Sequence, residues 1–406
     1  MLKKIFNRFQ SKKKATSVDI SPLMATYNRL PVSFARGEGI KLWDHDDKEY
    51  FDALGGIAVS ILGHRHSEYI NAVKAAAENI IHLSNWYQIP EQEALANKLC
   101  EITQMDKVFL CNSGTEANEA ALKIARKYGN DQNIENPVVI TATNSFHGRT
   151  MAALAATGNS AIQKNFAPML NGFIQVPYDD PVAIQNYGEN KNVVAVMLEP
   201  ILGESGIIIP SDDYLIRVRE ICDANNWLLI ADEIQTGMGR TGIWCEHQRN
   251  NIKADIMTMA KALGNGIPIG ACLARGKAAE VFQPGDHGTT FGGNPFACSV
   301  ALNVIHIIER ENLLNHAKLI GDYLLESLHL YLDGQSKVKE IRGRGLMLAV
   351  ELNDVYPNLT ERFLDHGLIV NITDGGKTIR LLPAAITNKS DADEIAKIIG
   401  NVINVL

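Results

Sequence analysis

The sequence predicts an α/β protein: a large domain on a mostly parallel seven-stranded sheet, followed by a smaller α+β domain. Seven short apolar runs recur between residues 108 and 274, separated by stretches with helical spacing or loop composition. Continuous apolar strands of this kind belong to a sheet covered on both faces. After Glu311 the pattern changes to a helix, three strand candidates and a closing helix. At 406 residues the chain is also too long for one hydrophobic core. The expected organisation is a basic tail over 1–20, an N-terminal segment over 21–75 joining the small domain, a large domain over 76–310 and a small domain over 311–406.

Taken in order, Ile40 to Asp52 reads as two short strands around an acidic turn, and Gly55-Gly-Ile-Ala-Val59 as irregular. Ile70, Val73, Ala77 and Ile81 recur at helical spacing, as do Leu95, Leu99 and Ile102. Val108-Phe-Leu is a strand, and Thr115 to Tyr128 a helix with Gly129 as its stop. Further strands start at Val138, Phe173, Val193, Trp227, Asp255 and Ile269. Asn294-Pro295 opens a long helix, with asparagine as cap and proline in the first turn. Leu346–Leu352, Leu368–Asn371 and Thr378–Leu382 are the later strands, and Ser390 caps the last helix.

Composition narrows the function. A net charge of -7 argues against a general nucleic-acid binder. Six dispersed cysteines without a C-x-x-C pair suggest neither a disulfide framework nor a metal site, and point to a reducing compartment. No run reaches the length of a membrane span. The first 18 residues carry six basic residues and no acid, with Leu2, Ile5, Phe6 and Phe9 at helical spacing. They read as a frayed tail on a cytoplasmic protein, with an organelle-targeting or membrane-surface segment as the alternative.

Chemistry concentrates at the carboxyl ends of the strands, where ligands bind in such sheets. Ser113, Glu199, Asp232 and Lys261 all fall there. Lys261 follows an apolar run and is poorly placed for ordinary solvation. It reads as a covalent anchor for pyridoxal phosphate, with Asp232 charging the pyridine nitrogen. Asn112-Ser-Gly-Thr-Glu-Ala-Asn118 opens a helix after a strand; its N–H groups and hydroxyls suit a phosphate, or Ser113 or Thr115 simply caps the helix. Phe146 is either a ring-stacking wall or core filler, and Arg149 either an anion fork or a surface arginine. Gly237, Gly239 and Gly242 spell G-x-G-x-x-G, but polar loop sequence follows instead of a helix, so no dinucleotide fold is read. His287 to Pro295 is a second glycine-rich loop suited to phosphate. Arg380, inside an apolar strand, needs a partner: a substrate carboxylate or an acid such as Glu204.

From about Met24 onward the chain resembles the class III, fold type I pyridoxal-phosphate aminotransferases. The matching stretches are Gly55–Val59, Ser113–Glu119, Phe146–Arg149, Glu199–Glu204, Asp232–Gly237, Lys261 in its setting and Thr290–Pro295. The resemblance implies pyridoxal 5'-phosphate as cofactor, Lys261 as its covalent holder and proton shuttle, and Asp232 at the ring nitrogen. It further implies Gln235 at the phenolic oxygen, Phe146 on the ring face, and Ser113, Gly114 and Thr115 at the phosphate. Thr290 would reach the phosphate from the other subunit of a homodimer with shared active sites. Arg149 and Arg380 match carboxylate-binding arginines, and Glu204 the acid that covers Arg380 when a substrate lacks a second carboxylate. The partners implied are an amino acid and 2-oxoglutarate. His82–Tyr87 and Gly55–Val59 look like the acetylornithine branch, while the ornithine, succinylornithine and 4-aminobutyrate branches share the cofactor residues. Gly203-Glu-Ser205 departs from the usual pattern, in which glycine often follows the acid.

Overall fold

Each of the seven apolar runs between residues 108 and 274 forms a strand of one sheet in the computed structural model, which describes residues 22–406. The basic tail lies outside the described residues. Residues 34–406 form one compact unit, and the described residues before them form a separate segment. In chain order the main elements begin with β1 (Phe34–Glu38), β2 (Lys41–Asp44), β3 (Glu49–Asp52), α1 (Ser67–Ala77), α2 (Pro90–Thr103) and β4 (Lys107–Cys111). There follow α3 (Gly114–Asp131), β5 (Val138–Ala142), β6 (Phe173–Val176), β7 (Val193–Leu198), α4 (Tyr214–Asn225), β8 (Leu228–Asp232), β9 (Ile256–Met259) and β10 (Gly270–Ala274). The chain closes with α5 (Pro295–Arg310), α6 (Leu313–Tyr331), β11 (Val338–Arg344), β12 (Met347–Leu352), β13 (Leu368–Ile369), β14 (Asn371–Thr373), β15 (Thr378–Leu381) and α7 (Lys389–Asn404).

The large sheet has the order β4-β10-β9-β8-β7-β5-β6. Only β10 runs against its neighbours. Its core follows from the period-two geometry of strands. Along β7, Ala195 and Met197 face the cluster that includes Ala117, Ala121 and Ile124 of α3. Val196 and Leu198 face the opposite cluster, with Val218 and Ile221 of α4. Both faces are covered, and each fully buried valine or leucine contributes about 1.5–3 kcal/mol. A smaller sheet, β11-β12-β15-β14, carries Arg380. A third, β1-β2-β3-β13, pairs the N-terminal strands with a C-terminal one, β3 running parallel to β13.

Several local expectations are corrected. α3 runs through Gly129 to Asp131. A Cβ on Gly129 would lie 2.7 Å from Val194 and 2.9 Å from Pro137, so this glycine permits close packing instead of stopping the helix. α1 ends at Ala77, leaving Ile81 exposed beyond it. α7 is capped by Asn388, with Asp391 completing a capping box, and not by Ser390. Leu368–Asn371 is divided between two sheets. The edge strand β11, Val-Lys-Glu-Ile-Arg-Gly-Arg, lacks the apolar run that would have announced it. The cap at Asn294 is present, its side chain accepting from the Ala297 N–H.

Candidate active site

The strand ends of the large sheet meet around one cavity of about 380 Å³. Ser113, Gly114, Thr115, Phe146, Arg149, Asp232, Gln235 and Lys261 all line it. Each is placed by local structure. Ser113 follows β4 and caps α3, accepting from the Glu116 N–H at 3.3 Å. The helix therefore presents its first turn, with its free N–H groups and positive dipole end, to the cavity. The Thr115 hydroxyl lies 3.0 Å from that of Thr150, which donates to Glu119. Gly148, with φ of 139°, carries the Phe146–Arg149 loop over this turn; a Cβ there would meet the Thr115 side chain. Of the capping and anion-binding readings of Ser113, the capping bond is present, and the same geometry could also hold an anion.

Asp232 ends β8 almost fully buried. Its Oδ2 accepts from Asn118 Nδ2 at 2.8 Å and lies 2.8 Å from His147 Nδ1, while Oδ1 accepts from the Ile234 N–H at 3.1 Å. Asn118 also donates to the His147 carbonyl at 2.7 Å, so three chain segments fix one carboxylate. Lys261 follows β9 with φ of 47°, in the left-handed region that non-glycine residues adopt only under constraint. Its ammonium is disfavoured first by burial; Glu204 opposes that shift, Arg380 adds to it, and the net direction is downward from the ordinary lysine value. A neutral amine is thereby made more accessible, as nucleophilic catalysis requires.

Arg380 lies fully buried in β15. It donates to Glu204 Oε1 and to the Gly203 carbonyl, both at 2.8 Å, and to Asn371 Oδ1 at 3.0 Å. Glu204 thus supplies the partner that the sequence left open between an acid and a ligand. Burial works against the Glu204 carboxylate, but the charge and hydrogen bond of Arg380 outweigh it and hold its pKa below the usual range. Gln235 joins this pair to the cavity, donating to Glu204 at 3.2 Å. One Arg380 nitrogen, Nη2, is buried without a partner among the described residues. Arg149 is exposed and stands 5.6 Å from the centre of the Phe146 ring; among the described residues it pairs with no carboxylate. Thr290 is not brought into this cavity within one chain. It lines a separate crevice with His82, Asn85 and Trp86.

Three contributors carried no predicted role. Asn118 and His147 sit inside motifs already singled out; the available signal was that Asn118 falls one helical turn from Gly114 and Thr115, on the same face. Glu199, at the end of β7, was placed at a strand end without a role. Burial pushes its pKa up to about 7, with His147 lowering and Asp232 raising it.

An anion-binding helix start, an anchored carboxylate, a partly buried aromatic wall and the only lysine on the described lining fit a phosphorylated pyridine aldehyde. Fold and site together define a pyridoxal-phosphate-dependent transferase. The chain belongs to the class-III aminotransferases, whose family model matches residues 24–403. It is 48% identical over 377 residues to the acetylornithine aminotransferase of Nitrosomonas europaea, covering 93% of this chain and 96% of the relative. It is 49% identical over 381 residues to acetylornithine aminotransferase 1 of Bordetella pertussis, with the same coverage. Among solved structures, the ornithine aminotransferase of Toxoplasma gondii ME49 superposes with a TM-score of 0.91 at 31% identity, covering 100% of this chain and 95% of that one. The acetylornithine aminotransferase of Elizabethkingia anophelis gives 0.84 at 29% identity, with 99% of each chain covered. No helix among the described residues is long and apolar enough to cross a membrane.

Proposed function

We propose that the enzyme moves the terminal amine of N2-acetyl-L-ornithine to 2-oxoglutarate, giving N-acetylglutamate 5-semialdehyde and glutamate, as a cytoplasmic step of arginine biosynthesis. The observation that carries this is the Glu204–Arg380 pair behind Gln235. An amine donor that reacts at the end remote from its carboxylate has nothing to offer Arg380, and Glu204 then covers that charge. A dicarboxylic partner displaces Glu204 and takes the guanidinium, whose unpartnered nitrogen is ready for a second contact. Arg149, which pairs with no carboxylate among the described residues, binds the remaining carboxylate.

Pyridoxal phosphate, when bound, supplies the electron sink for the carbon that loses its proton. Ser113, Gly114 and Thr115 would hold the phosphate at the start of α3, with Phe146 as the wall for the ring and Asp232 as the partner of its nitrogen. Gln235 meets the phenolic oxygen. Lys261 Nζ would hold the cofactor covalently; once the donor's amine takes its place there, the freed Nζ would be the base that takes the proton from the carbon bearing the reacting amine and the acid that gives it back. Thr290 reaches the phosphate of a partner subunit in a homodimer, which agrees with its place outside the cavity of its own chain. The pairing of β3 with β13 supports an N-terminal segment that joins the smaller domain.

A second reading, ornithine as donor, is favoured by the superposition on ornithine aminotransferases. Steady-state turnover with 2-oxoglutarate separates the two. kcat/KM is expected to be highest for N-acetylornithine among that substrate, ornithine, succinylornithine and 4-aminobutyrate. A higher value for free ornithine or 4-aminobutyrate would overturn the assignment.

A further inference from the structure

Glu199 is the buried acid on the cavity wall that the reaction above does not use. Both of its oxygens are engaged. Oε1 accepts from the Phe146 N–H at 2.7 Å and Oε2 from the Gly203 N–H at 3.1 Å. Phe146 forms the aromatic wall of the cavity. Gly203 precedes Glu204, and its carbonyl accepts from Arg380. A single carboxylate therefore ties the ring-facing wall to the segment that carries the ion pair. We propose that Glu199 is a positioning residue, a charge-dependent clamp that keeps Glu204 on Arg380 and so favours amine donors lacking a second carboxylate over glutamate; this rests on the transamination reading above.

The clamp works only in the ionised form. A carboxylate accepts at both oxygens with the strength its charge lends, whereas a neutral acid carries a proton on one of them and accepts there more weakly. Here both oxygens accept from N–H donors, so a proton added to either one weakens the bond that oxygen makes. The charged and titratable groups around it come from several elements. His147 follows β5, Asp232 ends β8 and Lys261 follows β9. The Tyr178 hydroxyl, beyond β6, donates to the Glu199 and Pro200 carbonyls at 3.0 Å each, fixing the backbone while leaving the carboxylate free to titrate. Burial, opposed by His147 and reinforced by Asp232, brings that titration to about pH 7.

The test compares wild-type holoenzyme with Glu199→Gln, which keeps the shape but has one accepting oxygen. The two half-reactions, with N-acetylornithine and with glutamate, are followed separately by the absorbance change of the bound cofactor, from about pH 6 to about pH 8.5. The variant is expected to lose about tenfold in kcat/KM for N-acetylornithine at the alkaline end, the scale of one charge-assisted hydrogen bond. It should lose less than about threefold for glutamate. The wild-type advantage with N-acetylornithine should shrink towards one below about pH 7. Equal losses in both half-reactions, or an advantage independent of pH, would overturn the clamp. Should the variant not fold, the wild-type ratio of the two kcat/KM values decides. The α-amine of free glutamate, raised by its own adjacent carboxylate, and the δ-amine of N-acetylornithine both titrate above this range, so their titration cancels; the clamp requires the ratio to fall on acidification, and a flat ratio overturns it. A wild-type enzyme inert towards N-acetylornithine but active with another ω-amine overturns the substrate assignment, and with it the donor preference given to Glu199.

Discussion

At the scale of single residues, Lys261 stands just past the apolar run of β9, where burial and not solvent sets its charge. A charge directly after such a run stands out, so the positions of Lys261 and Asp232 are legible in the sequence; those of Asn118 and His147 are not, since their contacts exist only where a helix and a loop close on one carboxylate. The environment of Lys261 makes a specific demand on pH. Its neutral amine predominates above its pKa, and burial has moved that pKa below the ordinary 10.5. In cofactor-free enzyme, acylation of Lys261 by an amine-directed reagent, followed by peptide mass spectrometry, should therefore reach half its plateau below pH 10.5. A midpoint at or above that value would mean that Glu204, Glu199 and Asp232 hold the ammonium more firmly than burial repels it. Lys261→Ala should remove the absorbance of lysine-bound cofactor and abolish turnover; persistence of that band would place the covalent link on another residue.

At the scale of elements, what was legible followed periodicity, and what was missed followed contacts. The strands of the large sheet could be read because both of their faces are buried. β11 could not, because its residues are half-buried or exposed and its partner β12 carries the apolar burden. Helix ends were misread where a residue of the right type stood near the end for another reason. Gly129 looked like a stop but serves packing, and Ser390 looked like a cap but lies inside α7. The cap itself is Asn388, whose Oδ1 accepts from the Asp391 N–H at 3.0 Å. Asn388→Ala should cost about 1 kcal/mol in urea unfolding. Ser390→Ala, at an exposed position with no capping bond, should stay within about 0.5 kcal/mol of wild type. The reverse order would restore Ser390 as the cap.

At the scale of the whole molecule, the glycine-rich loop after β8 acquires a purpose that its motif did not suggest. Its Arg240 is fully buried and donates to the carbonyls of Leu346, just before β12, and of Pro383, just after β15. The Arg240 carbonyl in turn accepts from the Leu346 N–H at 2.9 Å. The loop that begins at Asp232 is thus bolted to the sheet that carries Arg380, which brings the anchored Asp232 carboxylate and the Arg380 guanidinium into one frame. Among the described residues no carboxylate touches this cation; burial pushes its pKa down to about 10, with Asp52 opposing, so it remains charged at neutral pH. Two effects compete when Arg240 is replaced by methionine. The cost of holding a buried charge disappears, and replacing buried ions by apolar side chains is often neutral. Against that, two buried carbonyls lose their donors, at about 1–3 kcal/mol each. The guanidinium's Nε and Nη2 are buried without partners among the described residues and add to the first effect, but two carbonyls left without their charged donor, whose bonds are worth about 1.5–3 kcal/mol each, should outweigh it. Arg240→Met is expected to lower stability by about 2 kcal/mol or more in urea unfolding. An unchanged or raised stability would mean that the buried cation is a net cost, kept for holding the two sheets in register and not for stability.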